Sequence, residues 1–300
     1  ATLTVRLRGL GKQISKLNRF KSAIEPYFCA FPDFYRTAIF LFLLPLMLYG
    51  CDMIESNPYD VHITGEKQLT YKNIELIERA TAGKSIIRFA VISDSQRFYD
   101  ETRDAVNAIN ARGDIDFVLH GGDLTEYGAT KEFLWQRDIL DKLSMPYVCV
   151  IGNHDCIATG IEAYKSLFGP LNFSFTAGDV RFVCLNTNSL EFDYSEAVPD
   201  LGYIKNEIAT MDAGVRKSVV LMHACPYSEQ FSNNLAQEFH QLLTRLRGLQ
   251  FCVYGHGHNV TVDEFFNDGV IYYQCAATKK RSYLVFTIHD NGYDYEVVEF

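Results

Sequence analysis

Apolar and polar positions follow two rhythms along this 300-residue chain. Between residues 85 and 155, the short apolar runs SIIRFAVIS, DFVLHGGD and PYVCVIGNHD alternate with the amphipathic stretches YDETRDAVNAINARG and KEFLWQRDILDKL. Runs of four to eight β-branched and aromatic residues predict strands, and apolar positions at i, i+3 and i+4 predict helices. The order is βαβαβ, which predicts right-handed crossovers and a parallel sheet with helices on both faces. Further along, FSFTAGDVRFVCLN and DEFFNDGVIYYQC read as hairpins, the second turning on Asn267-Asp268-Gly269. Between them lie the strand KSVVLMHACP, a helix over 233–248 with a core stripe of Leu235, Phe239, Leu242, Leu243 and Leu246, and the strand QFCVYGHGH. The short alternation YDVHIT predicts an additional edge strand.

The N-terminus reads differently. Residues 37–51, TAIFLFLLPLMLYGC, are uncharged and follow a stretch rich in Lys and Arg. The run is too short for the roughly 20 residues of a membrane span but fits the apolar centre of an export signal. Its end, Leu48-Tyr49-Gly50-Cys51, resembles the bacterial lipoprotein box, in which the cysteine becomes the acylated first residue. The resemblance implies a membrane anchor on Cys51 and a place in the bacterial cell envelope; a cytoplasmic protein with a fortuitous apolar segment is the alternative. The segment before Arg36 is long for a signal and begins with Ala1, so a later start is also open. The expected organisation is a signal segment over 1–50, a tether and lead-in over 51–83, and one domain over 84–300.

Composition then narrows the function. At 48% hydrophobic and 22% charged residues, most of the chain can bury a core. The formal net charge is −9, and residues 1–50 carry seven Lys/Arg against two Asp/Glu, so the remainder stands at about −14. That balance argues against nucleic acid as a partner. Cys149, Cys184 and Cys252 sit in strand-like runs and read as core residues; Cys156 and Cys225 each follow a polar motif, and their pairing is the one disulfide considered.

Those polar motifs stand where such sheets keep their sites, at the carboxyl ends of strands. Asp94 and Gln96 end the first; Gly122-Asp123 the second; Gly152-Asn153-His154-Asp155 the third. His223 and then Gly255-His256-Gly257-His258 end two later ones. A single such residue has a plain structural explanation, as a helix cap or a turn. Five strand ends in succession, each offering an oxygen or nitrogen ligand, point to metal. The i, i+2 spacing of 94/96 and 256/258 would place both members of each pair on one side of an extended chain.

D-x-Q, GGD, GNHD, a lone His after an apolar strand, and GHGH resemble, in this order, the motifs of the calcineurin-like metallophosphoesterases, whose first motif usually has His in place of Gln96. The resemblance covers Asp94 to His258. It implies a four-layer αββα sandwich, two mixed sheets packed face to face with flanking helices. It also implies two divalent metal ions, one held by Asp94, Gln96, Asp123 and His258 and the other by Asp123, Asn153, His223 and His256. Hydrolysis of a small phosphate ester (a phosphodiester, a phosphomonoester or a pyrophosphate) by a bridging hydroxide would follow, with His154 as general acid beside the leaving group. Two divalent ions facing only two carboxylates give a locally positive site, which explains how an acidic chain attracts phosphate. Gln96 exchanges an imidazole nitrogen for an amide oxygen, favouring Mn²⁺ or Mg²⁺ over Zn²⁺ or iron. Alternatively, the site has lost an ion and the protein only binds phosphate.

Neighbouring residues receive structural roles. His120 packs behind the site or orients Asp123, Asp155 fixes the GNHD turn, and Tyr127 packs in its loop, at a spacing unlike that of the metal-bound Tyr of purple acid phosphatases. His62, His240 and His289 fall outside every motif and read as surface or helix residues. Tyr164, Phe168, Phe192 and Tyr194 suggest an aromatic substrate wall.

Overall fold

A computed structural model describes residues 60–192 and 195–300. The apolar segment before Cys51, Cys51 itself and Tyr194 lie outside the described residues. Eleven strands are defined among them: β1 Ile87–Ile92, β2 Phe117–His120, β3 Tyr147–Cys149, β4 Phe173–Ala177, β5 Val180–Leu185, β6 Lys217–Met222, β7 Leu249–Tyr254, β8 Thr261–Asp263, β9 Tyr272–Gln274, β10 Ser282–His289 and β11 Gly292–Glu299. They form a five-stranded sheet in the order β11-β10-β1-β2-β3 and a six-stranded sheet in the order β4-β5-β6-β7-β9-β8. In the first, β1, β2 and β3 run parallel while β10 and β11 are antiparallel; in the second, the β4–β5 and β8–β9 pairs are antiparallel and the rest parallel.

The two sheets pack face to face. Phe89, Val91, Phe117 and Leu119 alternate inward from the first sheet with Leu284 and Phe286, and meet Phe175, Phe182, Val219, Leu221 and Phe251 of the second. Phe89 anchors this layer, stacked on Phe117 at 5.3 Å between centroids and edge-on to Phe182 at 5.1 Å. The opposite face of the first sheet is covered by helices α2 Tyr99–Arg112, α3 Thr130–Leu140 and α4 Gly160–Leu167. The opposite face of the second carries α6 Leu201–Thr210 and α7 Ala236–Leu243, and the single turn α5 Ser189–Phe192 buries Phe192 with the first sheet's helices. This is the four-layer sandwich. It corrects the expectation of helices on both faces of the first sheet, because one of those faces is taken by a second sheet.

Other local expectations change as well. The described part of YDVHIT, residues 60–64, forms no strand, although Ile63 is buried. Within the 51–83 segment read as tether and lead-in, Leu69–Thr81 is a helix, α1, packed along the edge strands β3 and β4, with Ile77 in the inter-sheet core. The 233–248 helix is shorter: a 3-10 turn over Asn233–Leu235, then α7, with Phe239, Leu242, Leu243 and Leu246 of the expected stripe buried and Leu235 only half-buried. The β8–β9 hairpin forms, but Asp263 pairs with Tyr272, so Asn267-Asp268-Gly269 sits inside a longer loop. Tyr164, Phe168 and Phe192 form no substrate wall, since all three are buried in the core of the first sheet's helical face. Helical periodicity aims Tyr164 and Phe168 at the sheet rather than at solvent. All six described cysteines are free, Cys156 and Cys225 included.

Candidate metal centre

Every candidate ligand stands just beyond the carboxyl end of its strand: Asp94 after β1, Asp123 after β2, Asn153 after β3, His223 directly after β6, His256 and His258 after β7. Side chains from the two sheets thus meet at one rim of the sandwich. Asp94, Asp123 and His223 are fully buried and bring one ligand atom each within 4.8 Å of the others.

The backbone that delivers them is bent, not extended. Asp94, Gln96, Asp123, His256 and His258 all have positive φ, between 34° and 67°, and they are half of the ten non-glycine residues in that region among the described residues. The extended-chain argument for 94/96 and 256/258 is therefore corrected: left-handed residues turn the chain so that both members of each pair face inward. Such conformations cost on the order of 1–3 kcal/mol each and cluster at functional sites.

Two overlapping groups of donors result. In one, Asn153 Oδ1 lies 3.1 Å from His223 Nε2 and 3.1 Å from His256 Nδ1, and His223 Nε2 lies 3.4 Å from Asp123 Oδ1. In the other, His258 Nε2 is 3.3 Å from Asp94 Oδ1, and the Gln96 amide is 3.3 Å from Asp123 Oδ2. Ligands about 2.1 Å from a common ion stand about 3.0–3.4 Å apart in octahedral or tetrahedral shells, so this spacing fits shared cations. Asp123 joins the groups, one oxygen toward each. Asp94 Oδ1 is buried and faces only His258 Nε2, a candidate ligand of the same group, so a shared cation between them would satisfy both.

Neighbours set which atom each ligand offers. His223 Nδ1 donates to the Gly121 carbonyl at 2.7 Å, which leaves Nε2 for metal. Glu229 meets His256 Nε2 at 2.8 Å, which leaves Nδ1. Such partners orient ligating imidazoles and raise their basicity. Glu229 stands in no motif of the sequence, and nothing there singled it out. Burial by itself would lower His223, but Asp123 and Asp94 overcome it and push the group up to about 9. Burial works to raise Asp123, whereas His223 and the His154 amide hold its carboxyl below the usual range. Asp94 likewise raises His258.

Behind the ligands the expected supports are present. His120 is buried and no ligand: its Nδ1 accepts from the Gly122 amide at 3.2 Å, so Nε2 donates to Ser95 Oγ at 3.0 Å, tying the turn before Asp123 to the turn holding Asp94 and Gln96. Burial drives it down to about 4, so it stays neutral. Asp155 accepts from the amides of Leu124, Thr125 and Gly152 and from Thr125 Oγ1, clamping the Asp123 and Asn153 loops together. Tyr127 is exposed rather than packed, and His240 is a buried helix residue held by Tyr272 and Asp268. His154 Nδ1 donates to the Glu126 carbonyl at 2.8 Å. Its ring, with Gln96 and His258, borders a cavity of about 610 Å³ that also touches Arg97, Phe98, Lys279 and Lys280.

Residues 87–260 match the calcineurin-like phosphoesterases. The chain belongs to this family. The family is one of phosphoric ester hydrolases that work with two metal ions. Among curated relatives, glycerophosphodiester phosphodiesterase GpdQ of Enterobacter lignolyticus is 27% identical over 180 residues, covering 54% of this chain and 63% of that protein. A probable cyclic nucleotide phosphodiesterase of Coxiella burnetii is 25% identical over 171 residues, 54% of this chain and 67% of that one. The chain thus spans less than two thirds of the length of the first. The fold is shared with a dimetal phosphatase from Danio rerio (TM-score 0.56, 15% identity, 71% of this chain and 99% of that chain) and with a purple acid phosphatase from yellow lupin (TM-score 0.54, 14% identity, 73% and 52%).

Proposed function

We propose that this phosphoesterase hydrolyses a phosphodiester at a binuclear centre, with Asp94, Gln96, Asp123 and His258 around one ion and Asp123, Asn153, His223 and His256 around the other. The observation that carries the reading is Asp123, whose two oxygens face separate donor groups. Two bound divalent ions supply Lewis acidity toward phosphoryl oxygens and a hydroxide-like nucleophile from water at neutral pH. The protein's own residues do the rest. His154, with Nδ1–H fixed on Glu126, keeps Nε2 for the proton that the leaving oxygen needs. The phosphodiesterase names of the two curated relatives favour a diester over a monoester.

Gln96 bears on which metals serve. Its Nε2 donates to Asp123 Oδ2, whereas a cation requires the amide oxygen. Mn²⁺ is the proposed ion, with Mg²⁺, Zn²⁺ and iron as competitors. Manganese titration should give two ions per chain and metal-dependent release of nitrophenol from bis-p-nitrophenyl phosphate, and Gln96→His should raise zinc affinity by about tenfold. One ion per chain, no turnover, and no gain from Gln96→His would instead establish the alternative, a phosphate-binding protein with an incomplete site.

The lipoprotein-like box adds a proposed location, tethered by lipid at Cys51 to the bacterial envelope. Its support is the sequence over 37–51 alone. No helix among the described residues is long and apolar enough to cross a membrane. Labelling with a palmitate analogue should be lost in Cys51→Ser; label that persists would overturn the anchor.

A further inference from the structure

The cavity beside His154 and His258 holds charge that the metal centre does not require. Arg97, Lys279 and Lys280 border it with one carboxylate, Glu126, which is taken up by Arg97 at 2.9 Å. Neither lysine has an ion-pair partner among the described residues; Lys279 Nζ rests 5.4 Å from the centre of the Phe98 ring. In a chain of net charge −9, an unneutralised pair of ammonium groups bordering the candidate site is a selective feature.

The turn that carries the lysines is also held in place. It is a 3-10 turn, Thr278–Lys280, whose first residue is buried. The Thr278 amide donates to the carbonyl of Ser93, one residue before Asp94, at 3.2 Å, and the Ala277 amide donates to the carbonyl of His258 at 3.3 Å. Ser93 and Ala277 form a parallel bridge between the two sheets. The turn is thus tied to two candidate ligand loops, which fixes the backbone that carries the two exposed lysines beside the site. Both lysines lie beyond residue 260, where the family match ends, which suits a feature that selects substrate rather than one that serves the common reaction.

Resting on the proposed phosphodiester hydrolysis, we infer that Lys279 and Lys280 select substrates bearing a second phosphate in addition to the ester that is cleaved. Two compact point charges suit a phosphate dianion. The 610 Å³ cavity is the size of a site for an organic molecule and leaves room for the group that joins the two phosphates.

A matched pair of diesters tests this: thymidine 5′-(p-nitrophenyl phosphate) and the same ester with a 3′-phosphate, followed chromatographically with Mn²⁺ so that cleavage on either side of phosphorus counts. The full chain should favour the 3′-phosphorylated ester by about tenfold in kcat/KM, through KM and less so at high salt. K279A/K280A should bring that ratio near one, and K279R/K280R should keep most of it. Hydrolysis of both esters without preference, or an equal loss on both in K279A/K280A, would overturn the inference and leave the phosphodiesterase reading standing. Hydrolysis of neither by the unaltered chain would overturn both.

Discussion

Asp123→Asn should reduce phosphodiester hydrolysis on the order of 10³-fold or more at saturating Mn²⁺, and dialysed protein should lose bound metal. The substitution is nearly isosteric. The His154 amide donates to Asp123 Oδ1 at 2.9 Å and the asparagine oxygen can still accept it, so the fold should persist by circular dichroism. What disappears is the charge that faces both donor groups. One amide oxygen cannot replace two carboxylate oxygens aimed in different directions. Measuring kcat/KM on bis-p-nitrophenyl phosphate alongside metal content checks the point; activity within tenfold of the unaltered protein would show that Asp123 does not join two ions.

Gly152→Ala should be nearly as damaging, although Gly152 carries no chemistry. A Cβ at this position would overlap the Asp123 amide nitrogen and Oδ1 and stand 2.8 Å from its Cα. Rotating a side chain cannot relieve a collision with backbone, so the loop that presents Asp123 must move. A displacement near 1 Å costs about 10²-fold in rate, and forced overpacking costs about 1–3 kcal/mol of stability. Steady-state kinetics together with urea unfolding should show both losses. A variant that keeps full activity would mean that the Asp123 loop tolerates displacement, and the close approach of the two loops would lose its significance.

The sequence disclosed the donor inventory far better than the means of its assembly. Asp94, Asp123, Asn153, His223, His256 and His258 are legible because each follows an apolar run of strand length, and a strand end in an α/β sheet is a defined place in space. Left-handed φ at five ligand positions was not legible, since Asp and His only lean toward it and Gln does not, whereas glycine adopts it freely. Glu229 and the Lys279–Lys280 turn were missed for a related reason: they reach the rim from loops whose position is set by tertiary packing, not by local periodicity. The β10–β11 hairpin could not be placed from the sequence because its partner, β1, lies some 200 residues earlier, with Ile87 opposite Ile288. Tyr164 and Phe168 misled because aromatics in a loop-like stretch resemble a binding surface until the helix that buries them is known.

Because the rim takes Asp94, Asp123 and Asn153 from one sheet and His223, His256 and His258 from the other, neither half of the domain owns a complete donor set. A growing polypeptide that has emerged only through β5 presents a few scattered oxygen atoms and none of the three imidazoles that follow β6 and β7. On the proposed binuclear reading, cation capture is thereby postponed until the sandwich has closed, and an unfinished chain gives stray ions little to seize.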